Sequence, residues 1–163
     1  NEHRDNILHL TIAPARLSAE VILQAESIAT KLAQKTGLVG TLAIELFIGK
    51  DEAVYVNELA PRPHNSGHYS IEACDFSQFE QHIRAIADWP LQRPQLLKKA
   101  IMVNVLGQHV DKVYAAIPHH PDWHIHMYGK DEAKHNRKMG HITLLTNDVE
   151  SALEDLKNTR IWD

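Results

Sequence analysis

Cysteine is almost missing from this 163-residue chain. Its single thiol, Cys74, excludes an internal disulfide and fits a reducing, cytoplasmic setting. Basic residues are outnumbered, 17 Lys and Arg against 21 Asp and Glu, for a net charge of −4. That balance argues against a non-specific nucleic-acid or anionic-membrane binder, which needs a basic face. No apolar run has the length of a membrane span, and Asn1-Glu2-His3-Arg4-Asp5 is no signal peptide. Repeats and low-complexity tracts are absent. What is present, 44% hydrophobic and 23% charged residues, is the composition of an ordinary globular protein long enough to bury a core. The chain does not open on methionine and runs at once into a strand-like segment, so a piece of a longer polypeptide is expected.

Residues 7 to 12 read as a strand closed by Pro14. Ser18 then caps a helix with Val21, Ala25, Ile28 and Leu32 at helical spacing, and Gly37 stands where it should end. Strands at 41–48 and 53–60 flank Gly49-Lys50-Asp51-Glu52, a hairpin signal. Residues 77–87 form a helical pattern with Phe79, Ile83 and Ile86 on one side. The prolines of 89–94 mark a linker. Beyond it, strands are expected at 100–106, 123–128 and 141–145, a helical turn at 110–116, and a helix at 149–156. The order β-α-β-β-α occurs twice and predicts an α+β fold on mostly antiparallel sheets, with domains at 1–88 and 95–163 joined by 89–94.

The densest chemistry lies in Val56-Asn57-Glu58-Leu59-Ala60-Pro61-Arg62-Pro63-His64-Asn65-Ser66-Gly67-His68. If Ile48 faces Tyr55 across the hairpin, Glu45 lies opposite Glu58 on one sheet face, beside Ala43, Phe47, Val54 and Val56. Paired carboxylates repel, and apolar neighbours leave the repulsion poorly screened. A magnesium ion would resolve it, since Mg²⁺ favours one or two protein carboxylates completed by phosphate oxygens and water. Pairing alone weighs this equally with solvated glutamates in another register. The loop tips the balance. Arg62 has the donor fork for phosphate or carboxyphosphate, Asn57 and Asn65 carry amides for phosphate oxygens or metal-bound water, and His64 can donate to an oxyanion. Each alone reads as structural; together they point to an active-site rim.

Other features are weaker. His64 and His68 have i, i+4 spacing, but Asn65-Ser66-Gly67 is a poor helix and no third ligand is evident, which argues against zinc. His119, His120, His124 and His126 read as surface or strand positions, and Cys74 as a small buried residue. The cations of Tyr128-Gly129-Lys130-Asp131-Glu132-Ala133-Lys134-His135-Asn136-Arg137-Lys138-Met139-Gly140-His141 could hold a phosphate monoester or form a solvated hairpin tip.

The run from Asn57 to His68, the segment Ser77-Gln78-Phe79-Glu80-Gln81-His82-Ile83-Arg84-Ala85-Ile86 and the motif Arg137-Lys138-Met139-Gly140-His141 resemble the 5-(carboxyamino)imidazole ribonucleotide synthase family of ATP-grasp ligases. The likeness runs along essentially the whole chain. It implies the C-terminal half of an ATP-grasp fold followed by a small α+β domain. It also implies a reaction in which ATP, bicarbonate and aminoimidazole ribonucleotide combine through carboxyphosphate. On this resemblance Glu45 and Glu58 hold magnesium, while His3, Asn57 and Glu58 line the ATP site. Arg62 and His64 stabilise carboxyphosphate. Lys130 and Arg137, with Lys138 and Asn65 near the substrate, grip the ribonucleotide. Homodimers are common in the family. Its N-terminal domain and glycine-rich lid have no counterpart in these residues, so the isolated piece is expected to be inactive. Asn6 stands where a glycine is common. Two other readings are a different ATP-grasp carboxylase and a non-catalytic dimerisation module.

Overall fold

Asp5 and Asn6 both take positive φ, 50° and 61°. Such a pair makes the tight turn of an antiparallel hairpin, and asparagine tolerates this backbone better than most residues. The turn joins β1 (Glu2–Arg4) to β2 (Ile7–Ala13), which pair antiparallel. The departure at Asn6 therefore falls where the backbone favours glycine or asparagine. The computed structural model describes residues 1–163.

Two compact units divide the chain. The first comprises residues 1–14, 69–75 and 95–163. Its sheet runs β1-β2-β5-β7-β6, every pairing antiparallel, with β5 at Lys99–Leu106, β6 at Trp123–Met127 and β7 at Lys138–Thr146. Alternation of buried and exposed residues is missing from β5, where Ala100 to Val105 are all buried, as in a strand covered on both faces. Ile101, Val103, Val105 and Ile142 form the core with Val113 of α4 (Val110–Ala116) and with Ala152 and Leu156 of α5 (Val149–Asn158). Asp148 caps α5, accepting from Glu150 and Ser151. The buried Asn104 is satisfied: its Nδ2 donates to the Leu8 carbonyl at 2.7 Å, and its carbonyl accepts from Trp162 Nε1 at 2.9 Å. The short α2 (Ser70–Ala73) also belongs here.

The second unit comprises residues 15–68 and 76–94. Ser18 caps α1 (Ala19–Thr36), and Gly37 closes it in the left-handed conformation, as expected. The hairpin of β3 (Ala43–Ile48) and β4 (Val54–Ala60) forms a two-stranded sheet, and α3 (Gln78–Ile86) starts at the Ser77 cap. Val21 and Ala60 are its only buried apolar residues, whereas Phe79, Ile83 and Ile86 are 39–56% exposed.

The strand and helix order follows the expectation, with β1 and α2 as additions. Each compact unit is built from segments that are discontinuous in sequence. Pairing of β2 with β5 draws the first residues into the C-terminal sheet, and a bridge from Cys74 to Leu96 draws in 69–75. Cys74 is half-buried rather than buried, and burial pushes its thiol pKa up.

His9 carries a pH dependence. Burial first, then the Arg4 charge, lowers its pKa from 6.5 to about 4. The unfolded chain takes up a proton below about 6.5 while the folded one resists until about 4, so stability is lost as pH falls through that window. Thermal melts from pH 7 to pH 4 should show a falling midpoint, with a shallower fall in His9→Gln. Parallel curves for the two proteins would contradict this.

Candidate active site

Glu45 and Glu58 are Cα partners across the β3–β4 hairpin. The route to that pairing differs from the expected one. At the tip Ile48 faces Val54 and Phe47 faces Tyr55, and a β-bulge between Glu45 and Leu46 shifts the register by one residue. Asn57 is the extra residue on β4. Val54 and Val56 consequently belong to the opposite face, and Tyr55 joins Phe47, Ala43 and Ala60 beside the glutamates. Glu58, Phe47 and Tyr55 are exposed, so water screens the carboxylates better than the apolar-neighbour argument anticipated.

The bulge gives Asn57 a task. Its Nδ2 donates to Glu45 Oε2 at 3.1 Å, while His64 Nε2 lies 3.7 Å from Glu45 Oε1. Glu45 is 21% exposed and His64 14% at the side chain, so this corner is more enclosed than Glu58. Two hard carboxylates with an amide at hand fit a small divalent cation with open positions for phosphate oxygens.

After β4 the chain turns sharply. Arg62 N donates to the Ala60 carbonyl at 2.8 Å, and residues 65–67 form one 3₁₀ turn carrying Asn65. Arg62 Nη1 donates to the Pro63 carbonyl at 3.1 Å, no carboxylate pairs with the guanidinium, and the residue is exposed. His64 Nδ1 is 2.9 Å from Ser66 Oγ. With the hydroxyl donating to Nδ1, the ring proton resides on Nε2, the nitrogen nearer Glu45.

Sequence reasoning did not single out Gln78, which holds this loop. From the first turn of α3, its Oε1 accepts from the His64 backbone N–H at 2.9 Å and its Nε2 donates to the His64 carbonyl at 2.7 Å. Nε2 also lies 2.8 Å from His68 Nδ1. A Cβ on Gly67 would come within 2.6 Å of Gln78 Oε1, so that glycine makes room for the clamp. Gly67 was the one available signal.

The remaining candidates belong to the five-stranded unit. His3 lies on β1, exposed, opposite Leu8. Lys130 Nζ donates to the Lys138 carbonyl at 2.6 Å, and Arg137 Nη1 to the Glu132 carbonyl at 3.2 Å. These bonds bring Lys130, Arg137 and Lys138 into one loop that Gly107 and Gln108 anchor. Gly107 N donates to the Arg137 carbonyl at 2.9 Å, and Gln108 exchanges two hydrogen bonds with Asn136. The loop is anchored by these hydrogen bonds, and residues 129–137 remain exposed.

The family model of the ATP-grasp domain matches residues 1–79, and that of the phosphoribosylaminoimidazole carboxylase C-terminal domain matches residues 100–155. The N5-carboxyaminoimidazole ribonucleotide synthase of Staphylococcus aureus (strain MRSA252) is 50% identical over 96% of this chain and 41% of its own length. The crystal structure of the Staphylococcus aureus synthetase complexed with ADP superposes with TM-score 0.92 at 48% identity, covering 98% of this chain and 42% of that one. The Aspergillus clavatus synthase in complex with ADP and 5-aminoimidazole ribonucleotide gives TM-score 0.88 at 34% identity, covering 97% and 44%. The chain belongs to the N5-carboxyaminoimidazole ribonucleotide synthase family of ATP-grasp proteins, and it spans about two-fifths of the length of the curated relatives it matches.

Proposed function

We propose that this chain supplies the carboxylate pair, the carboxyphosphate loop and the ribonucleotide-phosphate loop of an ATP-dependent carbon–nitrogen ligase of purine biosynthesis. In this reading a bicarbonate oxygen attacks the γ-phosphorus of ATP and ADP leaves. The amine of aminoimidazole ribonucleotide then takes the activated carboxyl group, and phosphate leaves. The observation that carries the reading is the Glu45–Glu58 pairing beside the Asn57, Arg62 and His64 donors, in a chain whose relatives include structures with ADP and with the ribonucleotide.

Bound to Glu45 and Glu58, magnesium would neutralise phosphate charge. The side chains do the rest. Asn57 orients Glu45 and serves the nucleotide, and His3 is a nucleotide-binding residue on the family resemblance alone. Arg62, free of any carboxylate, offers its fork to carboxyphosphate, and His64 donates from Nε2 to an oxygen gaining negative charge. Lys130 and Arg137, with Lys138, hold the ribonucleotide phosphate, and Asn65 contacts substrate. A homodimer and a cytoplasmic setting belong to the same reading, as does a domain division at 89–94, which lies between the two matched segments. No helix is long and apolar enough to cross a membrane.

The test is ATP hydrolysis by a polypeptide of the relatives' full length that carries this segment. Stimulation by aminoimidazole ribonucleotide with bicarbonate is expected. Stimulation only by biotin, or only by glycinamide ribonucleotide with formate, would reassign the substrate to another ATP-grasp reaction.

A further inference from the structure

We propose that Glu72, His126, His141 and Tyr128 form a relay that positions Lys130 for the phosphate monoester of the ribonucleotide. The inference rests on the assignment of Lys130 to that phosphate made above.

Glu72 sits on α2 with its side chain only 10% exposed, and its Oε1 is 2.5 Å from His126 Nε2. Its other oxygen, Oε2, is buried with no hydrogen-bond partner. Burying a carboxylate this way is costly, so the one contact it keeps marks a constraint the fold maintains. His126 and His141 are Cα partners on β6 and β7, and their rings stack at 4.6 Å between centroids, 13° from parallel. His141 Nδ1 then meets the Tyr128 hydroxyl at 2.8 Å. Burial raises the Tyr128 pKa to about 12, so the hydroxyl keeps its proton.

Tyr128 is the last fixed residue before the cationic loop. Its N–H extends the β6–β7 ladder to the Met139 carbonyl at 2.8 Å, and Gly129 reverses the chain at φ 63°. Lys130 Nζ comes back to 5.5 Å from the Tyr128 ring centroid, within cation–π range. A lysine ammonium on a flexible stem has many positions to choose from. A ring fixed through its hydroxyl, below an ammonium tied to the Lys138 carbonyl, leaves it few. His126, expected as one surface or strand histidine among several, is the hinge of this chain of contacts.

Kinetics of the complete polypeptide separate positioning from mere structural support. Glu72→Ala and Tyr128→Phe should each raise KM for the ribonucleotide about tenfold, while KM for ATP and kcat stay within about twofold. Glu72→Gln keeps an acceptor for His126 Nε2–H and should restore the ribonucleotide KM. Lys130→Ala should raise the same KM, and adding Tyr128→Phe to it should cause no further loss, because both changes remove one interaction. The relay is overturned if Glu72→Ala and Tyr128→Phe leave that KM unmoved, or if the Tyr128 and Lys130 effects multiply. In either case a raised KM in Lys130→Ala keeps the phosphate assignment standing. An unchanged KM in Lys130→Ala removes both the assignment and the relay. Should Glu72→Ala fail to fold, Tyr128→Phe alone and in the double variant carries the test.

Discussion

Glu45→Gln and Glu58→Gln, each made in the complete polypeptide, are expected to cut ATP-dependent turnover by about a hundredfold or more. Either change removes half of the paired negative charge while preserving side-chain volume. Folding should not suffer. Glu58 is exposed, and the amide at position 45 can still accept from Asn57 Nδ2. The like-charge opposition of Cα partners also disappears, so each melting temperature should match or exceed that of the unaltered protein. Turnover at saturating ATP across a magnesium titration, alongside thermal melts, gives both readings. Normal turnover in either variant would remove that carboxylate from the proposed site. Loss of turnover with loss of folding would reduce it to a structural role.

A change at Gln78 should be nearly as damaging by another route. One amide serves both backbone groups of His64 and also reaches His68. Gln78→Ala strands those partly buried groups, at an expected cost of about 2 kcal/mol in stability. It also releases the loop that carries Arg62 and His64, so turnover should fall further than stability explains. Gln78→Glu is the sharper probe. It keeps the acceptor for His64 N–H but sets a carboxylate oxygen against the His64 carbonyl, and should be no better than alanine. Denaturant unfolding and turnover decide the matter. A Gln78→Ala protein with unchanged stability and rate would mean that the loop is held by other contacts.

Much of this was legible in the sequence because the signals were local. Ser18 and Gly37 bracket α1, Ser77 opens α3, and Asp148 opens α5, each through a cap set by a few neighbouring residues. The Glu45–Glu58 pairing was legible too, although the tip register used to reach it was off by one. No local residue pattern announces the bulge, since an asparagine in a strand is as compatible with regular pairing as with an extra residue. Gln78 and Glu72 escaped for a different reason. Their partners lie 14 and 54 positions away, and a polar side chain on a short helix carries no mark of which distant backbone or ring it will meet. The continuous burial of β5 likewise depends on which elements close over the sheet, information that strand periodicity does not contain.

The offset between Glu45 and Leu46 separates the hairpin into two stretches under different obligations. On the side of the acids, spacing is fixed by what they must hold jointly. Beyond the offset, the stretch from Leu46 through the 49–52 turn to Val56 can drift. A lineage that lengthened or trimmed that tip could absorb the change where the ladder is already interrupted, leaving the working end undisturbed. Sequence variability should therefore be lopsided along this ribbon, generous at its tip and scarce at its base.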